Sequence, residues 1–365
     1  MNRSRWYWLL GSILLLLLLA LGLIWRLPDP RLVHTFMVDS PVSSVAIDSH
    51  TSVIAARSRD DVVRLWNLDD MTLLHTLRKY PCITSNIAFQ PDRHHLAVGY
   101  GNGAVLLWDV ATGEVARTLR DIQPLPPDKS NRCTAEDGND IRKVLVIAFS
   151  PDGTLVAISG LAQPTSIIDT VTGSLRHELQ TPPSVVRNLT FSPDRKLLAS
   201  SGTTNVNIHV WNTDTGQLGR VLEAPDGSNM VRAMLFADNG RQLLAGRSSD
   251  STAETWSLSA DMIVDHHTIL NMSSGNWDFA PQGDIVAAGG QGTHGFFSHS
   301  GLPFWGGRAD PTVYIGNLNP PGQTIALRGH QDYVTSLAFS TDGDLLVSGS
   351  EDGTVRLWRV PEFEE

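Results

Sequence analysis

"LAFSTDGDLLVSGSEDGTVRLW", Leu337 to Trp358, is the stretch on which the fold turns. Val334, Leu337 and Phe339 alternate with polar or small residues ahead of an Asp342-Gly343 turn, and Leu345 to Val347 make a second apolar run. A Glu351-Asp352-Gly353 turn then leads to a third run carrying Val355, Leu357 and Trp358. Period-two patterning interrupted by Asp-Gly turns predicts three antiparallel strands.

The same arrangement recurs along the chain. Close copies are "IAFQPDRHHLAVGYGNGAVLLW", "IAFSPDGTLVAISGLAQPTSII" and "LTFSPDRKLLASSGTTNVNIHVW"; weaker ones are "VAIDSHTSVIAARSRDDVVRLW", "LFADNGRQLLAGRSSDSTAETW" and "WDFAPQGDIVAAGG…TVYIG". That makes seven. The residue before the first turn gives the register: Ile47, Phe89, Phe149, Phe191, Phe236, Phe279 and Phe339, at intervals of 42, 60, 42, 45, 43 and 60. A second landmark closes each copy: Trp66, Trp108, Ile168, Trp211, Trp256, Ile315 and Trp358. A unit of about 42 residues with two insertions is the period of a four-stranded propeller blade. After most third strands a short loop such as Asp109 to Glu114 leads into a fourth, "VARTL".

In repeat length and turn placement, nearly all of residues 32–360 resembles the WD-repeat β-propellers. The dipeptides that name the family are sparse, with Trp-Asp at Trp108-Asp109 and Gly-His at Gly329-His330. The resemblance implies an all-β, seven-bladed ring in which a His, a strand Ser, a turn Asp and the Trp form a buried hydrogen-bonded set. The last copy supplies all four, as His330, Ser348, Asp352 and Trp358. Elsewhere Asp60 and Asp250 keep the acid and Asn102 and Asn205 replace it. The set is expected to be structural, since a buried indole N–H needs an acceptor.

Seven copies supply only six fourth strands, because the chain ends soon after Trp358. "RLVHTF", Arg31 to Phe36, precedes the first copy and resembles "LLHTL", Leu73 to Leu77. The N-terminal strand is therefore expected to complete the last blade, which removes the sheet edges an open ring would expose.

Ahead of the repeats, Trp6 to Trp25 reads "WYWLLGSILLLLLLALGLIW" without a charge. Twenty residues at helical rise span about 30 Å, a bilayer's hydrocarbon thickness, and Trp6, Tyr7, Trp8 and Trp25 flank the stretch as interfacial aromatics do. The domain expectation is a tail at 1–5, a single transmembrane helix at 6–25, a linker at 26–30, the propeller at 31–360 and an acidic tail at 361–365. A cleaved signal peptide is the alternative, with Ala20-Leu21-Gly22 as its small-residue site. Arg3, Arg5 and the amino terminus before the span, against Arg26 and Arg31 after it, place the propeller outside the cytoplasm by the positive-inside rule.

Function is less legible than fold. The formal net charge is −10, from 28 basic and 38 acidic side chains, which disfavours nucleic acid as a partner. The two cysteines, Cys82 and Cys133, lack CxxC spacing; they fall in neighbouring blades at one face and form either a disulfide or two thiols. Gly290-Gln-Gly292-Thr-His-Gly295 matches GxGxxG but lacks the following helix that a phosphate site needs. Asp265-His266-His267 has no recognisable metal partners, and Asn188-Leu-Thr190 sits on a strand that is too buried for glycosylation. No catalytic motif, metal site or cofactor motif is found.

The two insertions point elsewhere. One precedes the first strand of the third copy and the other joins strands two and three of the sixth, loop classes that emerge on the same face, the top, of the propellers this chain resembles. The second insertion carries Phe296, Phe297, Phe304 and Trp305, and Tyr80, Tyr100 and Tyr333 align near the same face. Rigid aromatics are effective binding anchors, although a loop can also bury its own aromatics as a plug. The expectation is a membrane-tethered scaffold that binds a protein or peptide on its top face. The alternative is an extracytoplasmic enzyme or small-ligand sensor with its site in the same funnel.

Overall fold

In a computed structural model the described residues are 29–80, 83–91, 93–121, 144–160, 163–180, 185–203, 206–225, 230–247, 252–260, 262–268, 276–290, 311–318 and 321–363. They form seven antiparallel four-stranded sheets. The only helical turn among them is a 3-10 turn at Asp238–Gly240. Residues 1–28, which include the expected membrane span, lie outside the described residues, as do Cys82 and Cys133. Among the described residues no helix is long and apolar enough to cross a membrane.

Each sheet is one blade. Blade one comprises Val42–Asp48, Val53–Ser58, Val62–Asn67 and Leu73–Leu77, from the innermost strand to the outermost. Blade seven takes Val334–Phe339, Leu345–Ser350 and Thr354–Arg359 from the end of the chain, and its fourth strand, Leu32–Met37, from the beginning. The register of that closure pairs Leu32 with Trp358, His34 with Leu357, Thr35 with Arg356, Phe36 with Val355 and Met37 with Thr354. Asp29 fastens the entry to this strand. Its carboxylate accepts from the Arg31 amide at 3.0 Å, the Arg31 side chain at 2.8 Å and the Arg328 amide at 3.3 Å. Val360, the last residue of the expected propeller, and Phe363, in the expected tail, pack against the core of blades six and seven.

The reason for the ring lies in where the apolar residues fall. Strand alternation gives every blade two apolar faces, and neither can be buried within its own sheet. The core is accordingly a set of layers between neighbours. Val53, Leu65 and Leu77 of blade one meet Ile87, Leu96 and Trp108 of blade two, and so on round to Ile54 and Trp66 of blade one against Val347, Val355 and Leu357 of blade seven. The innermost strands touch in unbroken succession, each against the next and the seventh against the first. Where they approach most closely the second strand carries glycine: a Cβ on Gly349 would lie 2.5 Å from Cγ1 of Val42 in the next blade.

Polar side chains on the innermost strands tie neighbours together around the axis. Ser336 of blade seven accepts from the Val45 amide of blade one at 3.0 Å, and Ser44 of blade one accepts from the Ile87 amide of blade two at 3.2 Å. Asn86 of blade two both accepts from the Ile147 amide and donates to its carbonyl, at 2.8 and 3.1 Å. Asn188 of blade four donates to the Val231 carbonyl of blade five at 2.8 Å, and Asn276 of blade six to the Thr335 carbonyl of blade seven. With its amide committed to Ser201 and Val231, Asn188 is a structural residue.

One sequence landmark needs correcting. In six blades the two landmark residues lie in line across the sheet, as in Phe339, Leu346 and Trp358. In blade six the residue in line with Phe279 and Val286 is Gly316, not Ile315. Ile315 points to the other face, into the layer with Trp358, so the sixth blade has no large closing residue at all.

Two variants test the closure. Deleting residues 31–38 is expected to abolish the single cooperative melting transition. Gly349→Val, which wedges the blade seven–blade one layer, should cost about 1–3 kcal/mol in denaturant unfolding. An unchanged transition in the deletion refutes the clasp.

Candidate functional site: the channel mouth and its supporting joints

The polar set of blade seven is assembled as a chain. The Trp358 indole donates to Ser348 Oγ at 2.8 Å, Ser348 Oγ lies 2.7 Å from His330 Nε2, and His330 Nδ1 lies 3.1 Å from Asp352 Oδ2. Asp352 also accepts from the Gln331 amide and the Thr354 amide and hydroxyl, which fixes the turn that carries it. Burial pulls the His330 imidazole below its usual range against the opposing pull of Asp352, so the neutral ring donates through Nδ1 and accepts the Ser348 hydroxyl at Nε2. Burial pushes the Asp352 carboxyl up, but hydrogen bonds from His330 and Thr354 outweigh it and hold the group well below the usual carboxylate range. The Arg356 guanidinium packs closely over Gly329 beside His330, since a Cβ there would fall 2.0 Å from Arg356 Nη1 and displace it.

These distances would suit a nucleophile, base and orienting acid. The setting does not. Ser348 is 0% exposed and its oxygen already accepts the indole, so the arrangement is a sealed joint.

Blades four and five satisfy their Trp differently, while the Trp108 indole N–H of blade two is buried without a hydrogen-bond partner among the described residues. In blade four Trp211 donates to Ser200 at 2.9 Å, and the His209 ring lies nearly parallel to the indole with centroids 6.3 Å apart. In blade five Trp256 donates to Glu254 at 3.1 Å, and the same Glu254 oxygen accepts from Arg247 at 2.9 Å; Arg247 is 1% exposed. Arg247 continues to the Val206 carbonyl of blade four at 3.2 Å, so the pair bridges two blades. In blade one Asp60 is held by Arg64 at 2.7 Å and by Ser58. Asn102 of blade two caps its own turn by accepting from the Ala104 amide at 3.1 Å; Asn205 and Asp250 lie outside the described residues. The Arg247–Glu254 pair was missed by sequence reading. Its signal was two charges in apolar strands, with Glu254 two residues before Trp256 and thus on the same face.

All the loops joining a fourth strand to the next blade, and all those joining strands two and three, leave the sheets at one end, called the top. The long connections from Arg120 to Val144 and from Gly289 to Val313 both start and finish there, in blades opposite each other across the ring. Phe296, Phe297, Phe304 and Trp305 fall within the second connection and outside the described residues. The tyrosines divide. Tyr333 is half-buried at the top of blade seven. Tyr100 is 1% exposed and packs edge-on against the half-buried Tyr80 at 5.3 Å in the layer between blades one and two. Burial pushes its phenol up. The expectation that Tyr100 contacts a partner is therefore corrected: strand alternation directs this side chain into the layer.

Lower in the channel, Asp278 of blade six stands where other innermost strands carry Ala46, Ala88, Ala148 and Ala338. Its carboxylate accepts from the Phe339 amide of blade seven at 2.8 Å, and burial pushes its pKa up to about 7. Among the described residues no group of His, Cys, Asp and Glu is placed to hold a metal ion. The Asp265-His266-His267 run lies on the outermost strand of blade five, Met262–Thr268.

Two predictions follow from this chemistry. Ser348→Ala orphans both His330 and Trp358 whereas Ser200→Ala orphans Trp211 alone, so the first should cost about 2–4 kcal/mol and the second about 1–2 kcal/mol in denaturant unfolding. Asp278 holds its proton more tightly folded than unfolded, so its favourable contribution is complete below about pH 4 and is lost as pH rises through about 7. Asp278→Asn, which keeps an acceptor for Phe339, should melt higher than the native chain at pH 8 and no higher at pH 4; parallel melting curves across that range refute this.

Comparison with known proteins agrees with the architecture. Residues 30–67 and 321–359 match the family described as WD domain, G-beta repeat. WD repeat-containing protein srw1 of Schizosaccharomyces pombe is 24% identical over 80% of this chain and 45% of its own length. Protein groucho of Drosophila melanogaster is 25% identical over 72% of this chain and 31% of its own, and protein tipD of Dictyostelium discoideum 25% over 66% and 35%. The chain thus spans about a third to a half of the length of these relatives. Both matched segments start in a fourth strand and end in the third strand of the following blade, the offset that the clasp imposes. The chain matches the WD domain, G-beta repeat, where its two ends meet, and the ring as a whole is a seven-bladed β-propeller.

Proposed function

We propose that this propeller is a membrane-tethered interaction scaffold that holds a protein or peptide at its top face. The observation that carries the reading is the convergence of the two long connections on the strand ends around the channel mouth, one of them bearing Phe296, Phe297, Phe304 and Trp305. A closed ring supplies a rigid platform, and loops on such a platform supply recognition. The polar side chains of blade seven that resemble a reactive constellation are spent on holding the blade together, which leaves the mouth and its loops as the working surface. The tether is the uncharged stretch from Trp6 to Trp25, which places the propeller beside the bilayer on its extracytoplasmic side.

Photocrosslinking from position 304 in native membranes is the direct test. The full chain should yield a discrete protein adduct, and deleting residues 293–307 should remove it while leaving the melting transition intact. Residues 29–365 expressed alone should leave the membrane fraction, whereas the full chain should resist alkaline carbonate extraction. Adducts unaffected by the loop deletion, or a full chain that washes off, overturn the corresponding half of the reading.

A further inference from the structure

Blades four and five carry an unusual pair of cations at the channel mouth. Arg187 and Arg232 occupy the same position of their innermost strands, four residues before Phe191 and Phe236. Corresponding described residues in other blades are Ser43, Leu145 and Thr335. The hydrogen bond from Asn188 to the Val231 carbonyl fixes the pair's relation, since Arg187 directly precedes its donor and Arg232 directly follows its acceptor. Arg187 is exposed at the mouth, and Arg232 is half-buried with its Nε fully enclosed and without a hydrogen-bond partner.

Among the described residues neither guanidinium has an ion pair, although the protein carries 38 acidic side chains. Other arginines near strand ends find one: Arg64 with Asp60, Arg59 with Glu351 and Arg247 with Glu254. Burial, and then the neighbouring Arg187 charge, make Arg232 hold its proton less tightly. Two uncompensated like charges, one of them desolvated, oppose folding. Such an arrangement is favourable once an anion with paired oxygens arrives, because planar guanidinium groups bind carboxylate and phosphate in bidentate fashion.

We infer that Arg187 and Arg232 form a recognition site for an anionic side chain, carboxylate or phosphate, of a peptide seated at the channel mouth. This rests on the scaffold reading above and narrows its partner to one that presents an acid toward blades four and five. Electrostatic complementarity here would set orientation and specificity.

The experiment uses the detergent-solubilised full chain and three pools of random peptides. The pools contain no acid except at one fixed central position, occupied by Glu, phosphoserine or Gln. Retention on immobilised protein should favour the Glu or phosphoserine pool over the Gln pool by about tenfold, and raised salt should erode the preference. The ratio of the two acidic pools identifies which anion is preferred. The Arg187→Gln/Arg232→Gln variant should lose the preference and melt no lower than the native chain. Equal retention of the three pools, a preference that survives in the variant, or a variant that melts several degrees lower each overturns the inference, the last by making the arginines structural. If the crosslinked adduct at position 304 forms equally in the variant, the scaffold reading stands and the anion site falls. If no adduct forms in the native chain, the scaffold reading itself fails.

Discussion

The pairing of Leu32–Met37 with Thr354–Arg359 is the constraint on which the ring depends. Each blade has two apolar faces and one sheet to cover them with, so every blade needs two neighbours and no blade can be terminal. A solenoid meets this demand with polar caps at its ends, and a propeller meets it by having no ends. The last layer, between blades seven and one, can form only when the first segment of the chain has been laid against the last. Folding therefore couples the most distant parts of the sequence, and contacts of such separation carry the largest loop-closure cost.

Around that clasp the blades solve one local problem in different ways. An indole N–H buried between sheets is stabilised by an acceptor, which is a serine in blades four and seven and a glutamate in blade five, whereas among the described residues the indole N–H groups of Trp108 in blade two and Trp277 in blade six find none. Among the described residues, only blade seven extends the chain of bonds through histidine to an aspartate. It is also the blade built from both ends of the chain, and the network fastens its first connection, through His330, to its second and third strands. Blade six has Gly316 at the closing position and carries its buried indole on its first strand instead, as Trp277.

The features legible in the sequence were those written as period and turn. Blade number, strand order and the borrowed fourth strand follow from the spacing of Phe and Trp landmarks and from the likeness of "RLVHTF" to "LLHTL". The Ile315 assignment failed because Ile315 and Gly316 are adjacent, and adjacent residues on a strand face opposite sides; a long preceding insertion leaves the register free by one. Tyr100 misled for a related reason, since closeness to a loop says nothing about which way a strand residue points. The ionic joint of blade five, the channel carboxylate of Asp278 and the Arg187–Arg232 pair were visible only as single departures from the repeat. Their meaning depends on which neighbour they face across a blade boundary, a relation that no spacing within one copy records.

Asp29 gives the clasp a further property. Its carboxylate binds its own strand through Arg31 and the connection into blade seven through the Arg328 amide, so the chain is anchored to two blades before the clasp strand begins. Tension arriving through the preceding residues meets this knot first and is divided between blades six and seven. The clasp's backbone ladder is loaded only after the knot gives way. The ring thus has a strain relief at the one point where a pull on the residues before Asp29 would otherwise unzip it.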